Sequence, residues 1–368
     1  MRFVFVSYDH SPGFNDPDAF FNQLDGYWGI MAKLALKHSV TRIMQIGDTY
    51  EREYKGIQFR FVNFGAKSRR FPHKLHRLLK SLSPDVVIVH GLHNPLQVIQ
   101  LRLTLGRGVK IIAQNHAEKP AAGIRKLLQR IADRHIDAYL FASREMGMDW
   151  VKRGNLANAK KIHEVMEVSS TFYLIGRSLA QVKTGATGKP VFLWVGRLDQ
   201  NKDPLNVVNA FLRYTDICPG ARLYMIYHTE ELLDDISNLL GKHPNGLAVT
   251  LVGRVPHNEL LYWYNSADFI LSGSHYEGSG TAVCEAMSCG CVPILTDIFS
   301  FRMMTNDCTI GLLYEAGDQQ QLFTALVKSE QLDMPAERER ALGFFKSTLS
   351  FQAIAKRFEE IAEDLLIA

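Results

Sequence analysis

Short, continuously apolar runs separated by segments of helical periodicity restrict the fold of this chain more than any other feature. Six runs lie in the first half, at residues 3–7, 42–46, 59–62, 86–90, 110–113 and 139–142. Six more lie at residues 191–195, 223–226, 249–252, 269–271, 292–295 and 311–314. Strands that are apolar on both sides belong to parallel sheets covered by helices on each face. The pattern therefore predicts an α/β chain with doubly wound sheets.

The length of 368 residues exceeds what one hydrophobic core usually holds, so we expect two domains. The division is best placed within residues 176–190, where residues 184–190 break all periodicity. We predict a Rossmann-like N-terminal domain over 1–175 and a Rossmann-like C-terminal domain over 187–349, facing one another across a cleft. In such sheets ligands bind at the carboxyl ends of the strands. Residues 350–368 carry apolar side chains at helical spacing and predict a final helix.

The composition is that of an ordinary soluble protein, with 46% hydrophobic and 22% charged residues. No run of 18 apolar residues is present, and the start of the chain reads as a strand without the features of a signal peptide. We therefore expect a cytoplasmic protein. Its five cysteines are odd in number, and Cys289 and Cys291 lack a second pair to complete a metal site. We expect reduced thiols that pack a turn.

The net charge of +4 is spread unevenly along the chain. Residues 1–180 hold 27 Lys and Arg against 15 Asp and Glu, a balance of +12, and the remainder holds 15 against 23, a balance of −8. This asymmetry indicates that the N-terminal half faces something anionic.

Two glutamates eight residues apart, Glu277 and Glu285, flank a glycine-containing loop that opens into a short helix. Such a loop lets backbone N–H groups approach an anion, and the helix N-terminus adds positive potential. Carboxylates accept hydrogen bonds from hydroxyl groups. The arrangement predicts a ligand with phosphates at one end and polyol groups at the other, with both acids facing it.

The spacing resembles the Glu-x7-Glu motif of retaining glycosyltransferases of family 4, which have the GT-B fold. The strand that ends in Gly196 and Arg197, with Lys202 five residues further on, is similar to a second motif of that family. Segments beginning at Leu251 and Tyr264 follow the family order as well. The resemblance is specific over about residues 190–315 and thinner in the N-terminal half. It implies an acceptor site in the N-terminal domain and a donor site in the C-terminal domain. It also implies that the final helix, residues 350–368, crosses back to the N-terminal domain.

The resemblance implies a role for each motif. Arg197 and Lys202 would hold the diphosphate of a sugar-nucleotide donor, UDP- or GDP-linked, and stabilise the charge that grows on it. Glu277 would hold hydroxyls of the transferred sugar, and Glu285 would bind the ribose. The implied donor-binding set is Gly196, Arg197, Lys202, Arg254, Val255, Glu277, Gly278, Ser279, Gly280, Thr281 and Glu285. A solvated Gly-Arg loop and a helix-capping acid are the structural alternatives.

The family is thought to retain anomeric configuration without a protein nucleophile, and the leaving diphosphate takes the acceptor proton. On this view Glu277, Arg197, Lys202 and His116 are the catalytic residues. No metal or other cofactor is expected, because the cations supply the positive charge. His116 matches a family histidine near the transferred sugar and the acceptor; its alternative is a satisfied loop histidine. For His90, His93 and Ser143 structural roles are the stronger interpretation, a helix cap in the case of Ser143.

Three stretches depart from the family pattern. The glycine pair after the first strand is replaced by Ser11-Pro-Gly-Phe-Asn-Asp-Pro, and the Gly-x-Gly turn near residue 226 by Tyr227-His-Thr-Glu. The Asn-Gly-Val-Asp stretch expected near residue 168 reads Val168-Ser-Ser-Thr-Phe. These differences concern the acceptor and part of the nucleotide site.

Residues 67–82 form a basic amphipathic segment whose apolar stripe is Phe71, Leu75, Leu78, Leu79 and Leu82. The segment is interpreted either as a helix packed on the first sheet, or as a peripheral contact with an anionic membrane that carries a lipid-linked acceptor. Nucleic acid is a poorer partner because no recognition motif accompanies the charge.

The leading hypothesis is a metal-independent, retaining glycosyltransferase of the hexosyl type that acts on a glycan, polysaccharide or lipid-linked acceptor. A nucleotide-sugar epimerase of the same fold and a non-catalytic sugar-nucleotide-binding protein remain alternatives. The epimerase would turn over donor without acceptor, whereas the binding protein would release no nucleotide diphosphate. A glycoside hydrolase ranks lower because it gives Arg197 and Lys202 no purpose.

Overall fold

The chain divides into two compact units in a computed structural model that describes residues 1–11, 21 and 28–367. The first unit is Met1–Ser169 together with the segment from Phe351 onward, and the second is Ser170–Ser350. The loop at residues 12–17, predicted to differ from the family pattern, lies outside the described residues.

The first unit is built on an eight-stranded sheet. Its strands are β1 (Arg2–Ser11), β2 (Ser39–Ile46), β3 (Tyr50–Tyr54), β4 (Ile57–Val62), β5 (Val86–His90), β6 (Lys110–Gln114), β7 (Ala138–Phe141) and β8 (Ile162–Glu164). The order is β3-β4-β2-β1-β5-β6-β7-β8. The pairing of β3 with β4 is antiparallel, and the other pairs are parallel.

Five helices accompany these strands in the described part of the N-terminal segment. They are α1 (Gly29–Ala35), α2 (His73–Ser81), α3 (Pro95–Leu105), α4 (Gly123–Asp133) and α5 (Arg144–Lys152). Buried side chains of α2, α3 and α5, such as Leu79, Leu101 and Trp150, share one hydrophobic core with strand residues Val6 and Val89. This burial of apolar area is what holds the helices to the sheet.

The second unit contains a six-stranded, fully parallel sheet. Its strands are β9 (Val191–Gly196), β10 (Arg222–Tyr227), β11 (Val249–Gly253), β12 (Phe269–Ser272), β13 (Val292–Thr296) and β14 (Leu312–Tyr314). The order is β11-β10-β9-β12-β13-β14. The chain leaves β9 toward one edge and returns at β12 to build the other, so the unit is doubly wound.

The helices of the second unit cover both faces of this sheet. They are α6 (Arg177–Thr184), α7 (Pro204–Thr215), α8 (Leu233–Lys242), α9 (Leu260–Ser266), α10 (Thr281–Ser288), α11 (Phe299–Met304), α12 (Gln319–Ser329) and α13 (Met334–Phe344), followed by a π-helical turn at Phe345–Leu349. Phe192 and Phe211 belong to the core on one face, and Leu193 and Tyr264 to the core on the other. Alternate strand residues therefore serve opposite cores.

The division between the units falls at residues 169 and 170, earlier than the predicted domain end at 175. The helix α6 begins within the stretch that the sequence suggested was a linker. Its Arg177 donates from Nη2 to Oδ2 of Asp268 at 2.7 Å, and the backbone N–H of Ile175 donates to Asn265 at 2.8 Å. These polar contacts tie residues 170–186 to the second unit, whose predicted start at 187 is thus too late.

The last helix, α14 (Phe351–Ile367), belongs to the first unit. The Phe358 side chain is buried, and its ring centroid lies 6.1 Å from that of Phe5 on β1. Glu359 pairs with Lys37 at 3.0 Å. The Phe351 ring covers Gly29, where an added Cβ would come within 2.5 Å of it. Apolar packing and this ion pair hold the end of the chain against its beginning.

All twelve strands predicted from the sequence are present, with ends that differ by a few residues, and β3 and β8 were missed. The prediction of an α/β fold with two Rossmann-like domains and parallel sheets is confirmed. The basic helix α2 buries Leu75 and Leu79 in the core of the first sheet, as the simpler interpretation required, and Leu78 and Leu82 pack against that core. Phe71, at the start of the predicted stripe, is exposed instead. In the described residues no helix is both long and apolar enough to cross a bilayer.

Candidate functional site

The switch point of the second sheet lies between β9 and β12, which are hydrogen-bonded neighbours. Ligands of doubly wound sheets bind beyond the carboxyl ends of such strands. Residues 197–203 follow β9 and residues 273–277 follow β12. The two loops that carry the predicted cationic residues and Glu277 thus leave the sheet side by side.

These two loops are bonded directly to each other. The backbone N–H of His275 donates to the carbonyl of Asn201 at 2.8 Å, and the Asn201 amide donates to the carbonyl of Tyr276 at 3.0 Å. A Cβ added at Gly273 would lie 3.0 Å from the carbonyl oxygen of Lys202. The absence of a side chain at Gly273 is therefore what permits the close approach.

Lys202 and Glu277 form an ion pair between the loops. Their side chains are 22% and 15% exposed, so the pair is shielded but open to one side. The backbone N–H of Lys202 donates to Asp199 Oδ1 at 2.9 Å, and the Ser300 hydroxyl donates to the carbonyl of Glu277 at 3.2 Å. The backbone of Lys202 is thus fixed within its own loop, and the backbone of Glu277 is fixed by Ser300 of α11.

Arg197 lies differently. Its side chain is 55% exposed and pairs with Asp199 Oδ2 at 3.1 Å. Among the described residues it has no ion pair with Glu277 or Glu285. The structure thus couples each predicted cation to its own acid, and an incoming anion would have to compete with Asp199 for Arg197 and with Glu277 for Lys202.

The helix α10 begins directly after Gly280, whose φ of +60° favours glycine. An added Cβ there would also lie 2.7 Å from the Phe301 ring. Ser279 and Gly280 are buried, Gly278 is half-buried and Thr281 is exposed. The first N–H groups of a helix have no partner within the helix, so this end can receive an anion.

Glu285 lies in the second turn of α10 and is 6% exposed. Its Oε1 is 2.7 Å from Nε2 of His257, and its Oε2 accepts a hydrogen bond from the Tyr264 hydroxyl at 2.9 Å. The hydrogen bond with Glu285 raises the pKa of His257, although partial burial opposes it. Burial, and then the Glu285 charge, raise the pKa of Tyr264 well above its usual value, so this hydroxyl remains a donor.

The residues expected to contact the base lie next to this group. Arg254 is exposed, whereas Val255 packs against the hydrophobic core that contains Tyr264. The Phe172 ring lies 5.0 Å from the His257 ring between centroids. Glu277 and Glu285 therefore have different partners, one facing a lysine and the other a histidine and a tyrosine.

The first unit holds a second polar cluster at its own switch point, between β1 and β5, where Ser7 pairs with His90. His90 Nδ1 lies 2.7 Å from His116 Nε2, and the two rings stack with centroids 5.0 Å apart. His116 Nδ1 is hydrogen-bonded to the carboxylate of Glu167. A carboxylate at Nδ1 favours a proton on that nitrogen, which leaves Nε2 of a neutral ring as an acceptor.

Burial lowers the pKa of His90 well below its usual value, and the charges of Arg42 and His116 lower it further. His90 is thus neutral near pH 7. Burial also lowers the pKa of Arg42 to about 10. Within the described residues, Nε and Nη1 of Arg42 and Nε2 of His90 have no hydrogen-bond partner.

Glu118 organises the loop that carries His116. It accepts hydrogen bonds from the backbone N–H groups of Leu92 at 3.1 Å and His116 at 2.7 Å. It also pairs with His93 at 3.2 Å, and His93 in turn lies 3.4 Å from Asp9. His93 is thus part of the loop framework, and Ser143 is a helix cap that accepts from the N–H of Glu145 at 3.2 Å, as the sequence indicated for both.

Sequence analysis assigned no role to several residues of these clusters. Among them are Asp199, His257, Tyr264, Glu167, Glu118 and Arg42. Tyr264 could have been found, because it begins a segment that follows the family pattern. Glu167 gave no such signal, because it precedes a stretch that departs from that pattern. In the described residues no group of three or more His, Cys, Asp and Glu side chains is arranged to hold a metal ion. None of the five cysteines, which all lie in the described residues, forms a disulfide bond, and Cys284, Cys289 and Cys291 are buried.

Comparisons with known proteins find similar sequences and similar folds. Residues 177–341 match the family model described as glycosyl transferases group 1. D-inositol 3-phosphate glycosyltransferase of Streptosporangium roseum is 28% identical over 160 residues, which cover 40% of this chain and 36% of that protein. Alpha-D-kanosaminyltransferase of Streptomyces kanamyceticus is 20% identical over 328 residues, 87% of this chain and 78% of that protein. The chain thus spans only about a third of the first of these relatives.

Solved structures are similar along nearly the whole chain. Sucrose-phosphate synthase from Thermosynechococcus elongatus superposes with a TM-score of 0.70 at 17% identity, covering 99% of this chain and 98% of that one. HepE of Anabaena in complex with UDP gives 0.76 at 12% identity, covering 99% and 100%. At these identities the likeness concerns the fold.

Proposed function

We propose, from the match of residues 177–341 to the family model described as glycosyl transferases group 1, that this chain moves a sugar from a nucleotide-diphosphate-sugar to an acceptor hydroxyl and retains the anomeric configuration. The observation that carries the proposal is the Lys202–Glu277 pair at the switch point of the second sheet. It joins a cation suited to phosphate with a carboxylate suited to sugar hydroxyls.

The donor occupies the second unit in this proposal. Lys202 and Arg197 bind the diphosphate, and the N-terminus of α10 adds N–H donors. Glu277 accepts hydrogen bonds from the sugar hydroxyls, and Glu285 accepts them from the ribose. HepE was solved with UDP, which supports a UDP-linked donor. A GDP-linked donor would present the same diphosphate and ribose groups to these residues.

The transfer needs no protein nucleophile. The bond between the anomeric carbon and the diphosphate oxygen breaks, and the acceptor oxygen bonds to that carbon on the same face. The acceptor proton passes to the leaving diphosphate. Lys202 and Arg197 stabilise the charge that grows on the diphosphate, which is why we propose a metal-independent reaction.

The acceptor is assigned to the first unit, where His116 would orient its hydroxyl. The pairing of His116 with Glu167 supports this role, because it fixes the ring and leaves Nε2 as an acceptor. The acceptor hydroxyl would replace His90 Nδ1, which lies 2.7 Å from that nitrogen. We propose a glycan or lipid-linked acceptor, used in the cytoplasm with a peripheral contact at an anionic membrane. The excess of basic residues in the N-terminal half supports this contact.

A thermal-shift panel of UDP, GDP, ADP and their sugars tests the donor site directly. One nucleotide family should raise the melting temperature, because a ligand that binds only the folded state stabilises it. The Lys202→Ala variant should lose most of that shift and about 10²–10³-fold in turnover, as expected for an anion-stabilising donor. Lys183→Ala on α6, an exposed lysine of the same unit, is the matched control.

A turnover equal to that of wild type in Lys202→Ala would refute the proposed role of Lys202 in binding the diphosphate. Donor converted to an isomeric sugar nucleotide without acceptor would show an epimerase instead. A nucleotide-induced shift with no nucleotide diphosphate released, across a panel of glycan and lipid-linked acceptors, would favour a non-catalytic binding protein.

A further inference from the structure

The helix α4 is oriented with its apolar side outward. Ile124, Leu127 and Ile131 are 76%, 58% and 37% exposed, and their spacing places them along one face of the helix. The buried positions include Gln129 and Asp133, which are polar. A helix that packs on a protein core normally buries its apolar stripe, so this orientation is the reverse of the usual one.

Specific hydrogen bonds fix this orientation. Gln129 Oε1 accepts from the Asn155 amide at 2.7 Å. Asp133 accepts from the Tyr139 hydroxyl at 3.0 Å and from the backbone N–H of Ala157 at 3.1 Å. Rotating α4 to bury its apolar stripe would break these bonds and leave the buried Asn155 and Tyr139 unsatisfied, which is costly. The apolar stripe is therefore held at the surface.

Basic residues surround the stripe. Arg125, Arg130 and Arg134 are exposed and Lys126 is half-buried, while Asp133, the one acid in α4, is buried. The helix has 11 residues and is thus about 16 Å long, so apolar and cationic groups share a small area.

The neighbouring helices α2 and α3 also expose apolar or basic side chains. The helix α3 packs against α4 and exposes Leu96 and Leu103, and α2 packs against α3. The exposed charges of α2 are Lys74, Arg77 and Lys80. His76 adds no charge near pH 7, because burial and the nearby His73 lower its pKa to about 4. Over residues 63–136 the sequence has 14 Lys and Arg against 3 Asp and Glu, a balance of +11.

We propose that the outer side of α2, α3 and α4 docks on an anionic lipid bilayer, with Ile124, Leu127 and Ile131 entering the boundary between headgroups and acyl chains. Cations attract the surface, and apolar side chains gain from leaving water. A nucleic acid would satisfy the charge and leave the isoleucines and leucine in water. A second copy of this chain would bring two strongly basic faces together. This inference deepens the proposed function, on which it rests for a lipid-linked acceptor.

Co-sedimentation of the full chain with vesicles tests the surface. Wild type should pellet with phosphatidylcholine vesicles that contain about 30% phosphatidylglycerol, at about 50 mM salt where screening is weak, and far less with phosphatidylcholine alone. Leu127→Asp and Leu127→Ser should each weaken binding at least tenfold. Leu247→Asp is the matched control, since Leu247 is 95% exposed in the second unit and takes the same added charge.

Wild type that stays in the supernatant with anionic vesicles would overturn the proposal, as would Leu127→Asp that binds like wild type. A dimer of wild type that Leu127→Asp converts to a monomer would show an interface between copies instead. Equal losses in Leu127→Asp and Leu247→Asp would show that added charge alone is responsible, against the proposal. The nucleotide-induced thermal shift is measured without lipid, so it reports on the donor site whether or not docking occurs.

Discussion

At the scale of single residues, the cations of the predicted donor site are already paired with acids in the absence of a ligand. Lys202 is engaged by Glu277 and Arg197 by Asp199, so these four side chains sum to zero charge. Under the proposed function, a diphosphate would bind there only by taking the cations from their acids. Glu277 would then be released as the sugar hydroxyls arrive to bind it. The pairing would thus couple the binding of the phosphate and sugar parts of one ligand.

The pairing of His116 with Glu167 gives a test in the first unit. Glu167→Gln keeps the size of the side chain and an acceptor for Nδ1 but removes the charge, so we expect kcat to fall about tenfold with the donor KM unchanged. Glu167→Ala should fall further, because the ring also loses its orientation. Initial rates at varied donor and acceptor concentrations provide the measurement.

Glu164→Gln is the control for this pair. Glu164 lies three residues before Glu167, and its carboxylate accepts a hydrogen bond from the backbone N–H of Arg144 at 2.8 Å. A donor KM that rises in Glu167→Gln while kcat is unchanged would place Glu167 outside the acceptor chemistry.

Sequence reasoning reached the site only in part at this scale. Glycine turns, strand ends and the spacing of Glu277 and Glu285 identified the loops, because these depend on local geometry. The partners Asp199, His257 and Glu167 were missed, because pairing across loops depends on the sheet order, and Glu167 is 51 residues from His116. Whether the donor-binding set acts together stays a prediction.

At the scale of elements, Asp268 joins three parts of the second unit. It precedes β12 and accepts from Arg177 of α6, from Arg338 of α13 at 2.7 Å, and from the N–H of Val191 at 2.9 Å. Burial alone would raise the pKa of Asp268, but the hydrogen bond from Arg177 and the neighbouring charges lower it overall. Its carboxylate therefore stabilises the folded unit.

Asp268→Asn should lower the free energy of unfolding by about 2 kcal/mol, because both guanidinium groups lose a charged acceptor. The direction of the pH dependence follows from the lowered pKa of Asp268. The advantage of wild type is fully present above pH 3.8, the ordinary value, and disappears as pH falls through the lower folded value. Urea unfolding at pH 7 and at pH 3 would measure it, with the exposed Asp235→Asn as control. An equal difference at both pH values would contradict the linkage.

The elements themselves were largely predictable, because buried parallel strands are continuously apolar. The two missed strands lack that signal. The strand β3 is Tyr-Glu-Arg-Glu-Tyr, with its three central residues exposed, and it pairs antiparallel with β4 through a turn at Lys55 and Gly56, both at positive φ. The strand β8 has three residues. The helix α6 was missed because the break in periodicity at residues 184–190 led us to predict a linker over the residues that form it.

At the scale of the whole molecule, the first unit is completed by a segment from the far end of the chain. Phe358 is 1% exposed in α14 and lies against Phe5 of β1. Phe358→Ala should destabilise the first unit by about 3 kcal/mol, as for loss of a buried aromatic ring. Differential scanning calorimetry should show one transition lowered, with the nucleotide-induced shift of the other retained. Ile367→Ala, 87% exposed on the same helix, is the control, and equal loss in both transitions would contradict the assignment of α14 to the first unit alone.

The first unit is built from two separate segments of the chain, so its folding depends on the order in which the ribosome makes them. The ribosome delivers all of Ser170–Ser350 before it delivers α14, so the later-encoded unit can reach its native state while the earlier one still lacks a covering helix. Until translation passes residue 351, Phe5 and its neighbours on that side of the nascent sheet remain without their partner. Chaperone binding should therefore be stronger to a released chain that ends at Ser350 than to the full chain.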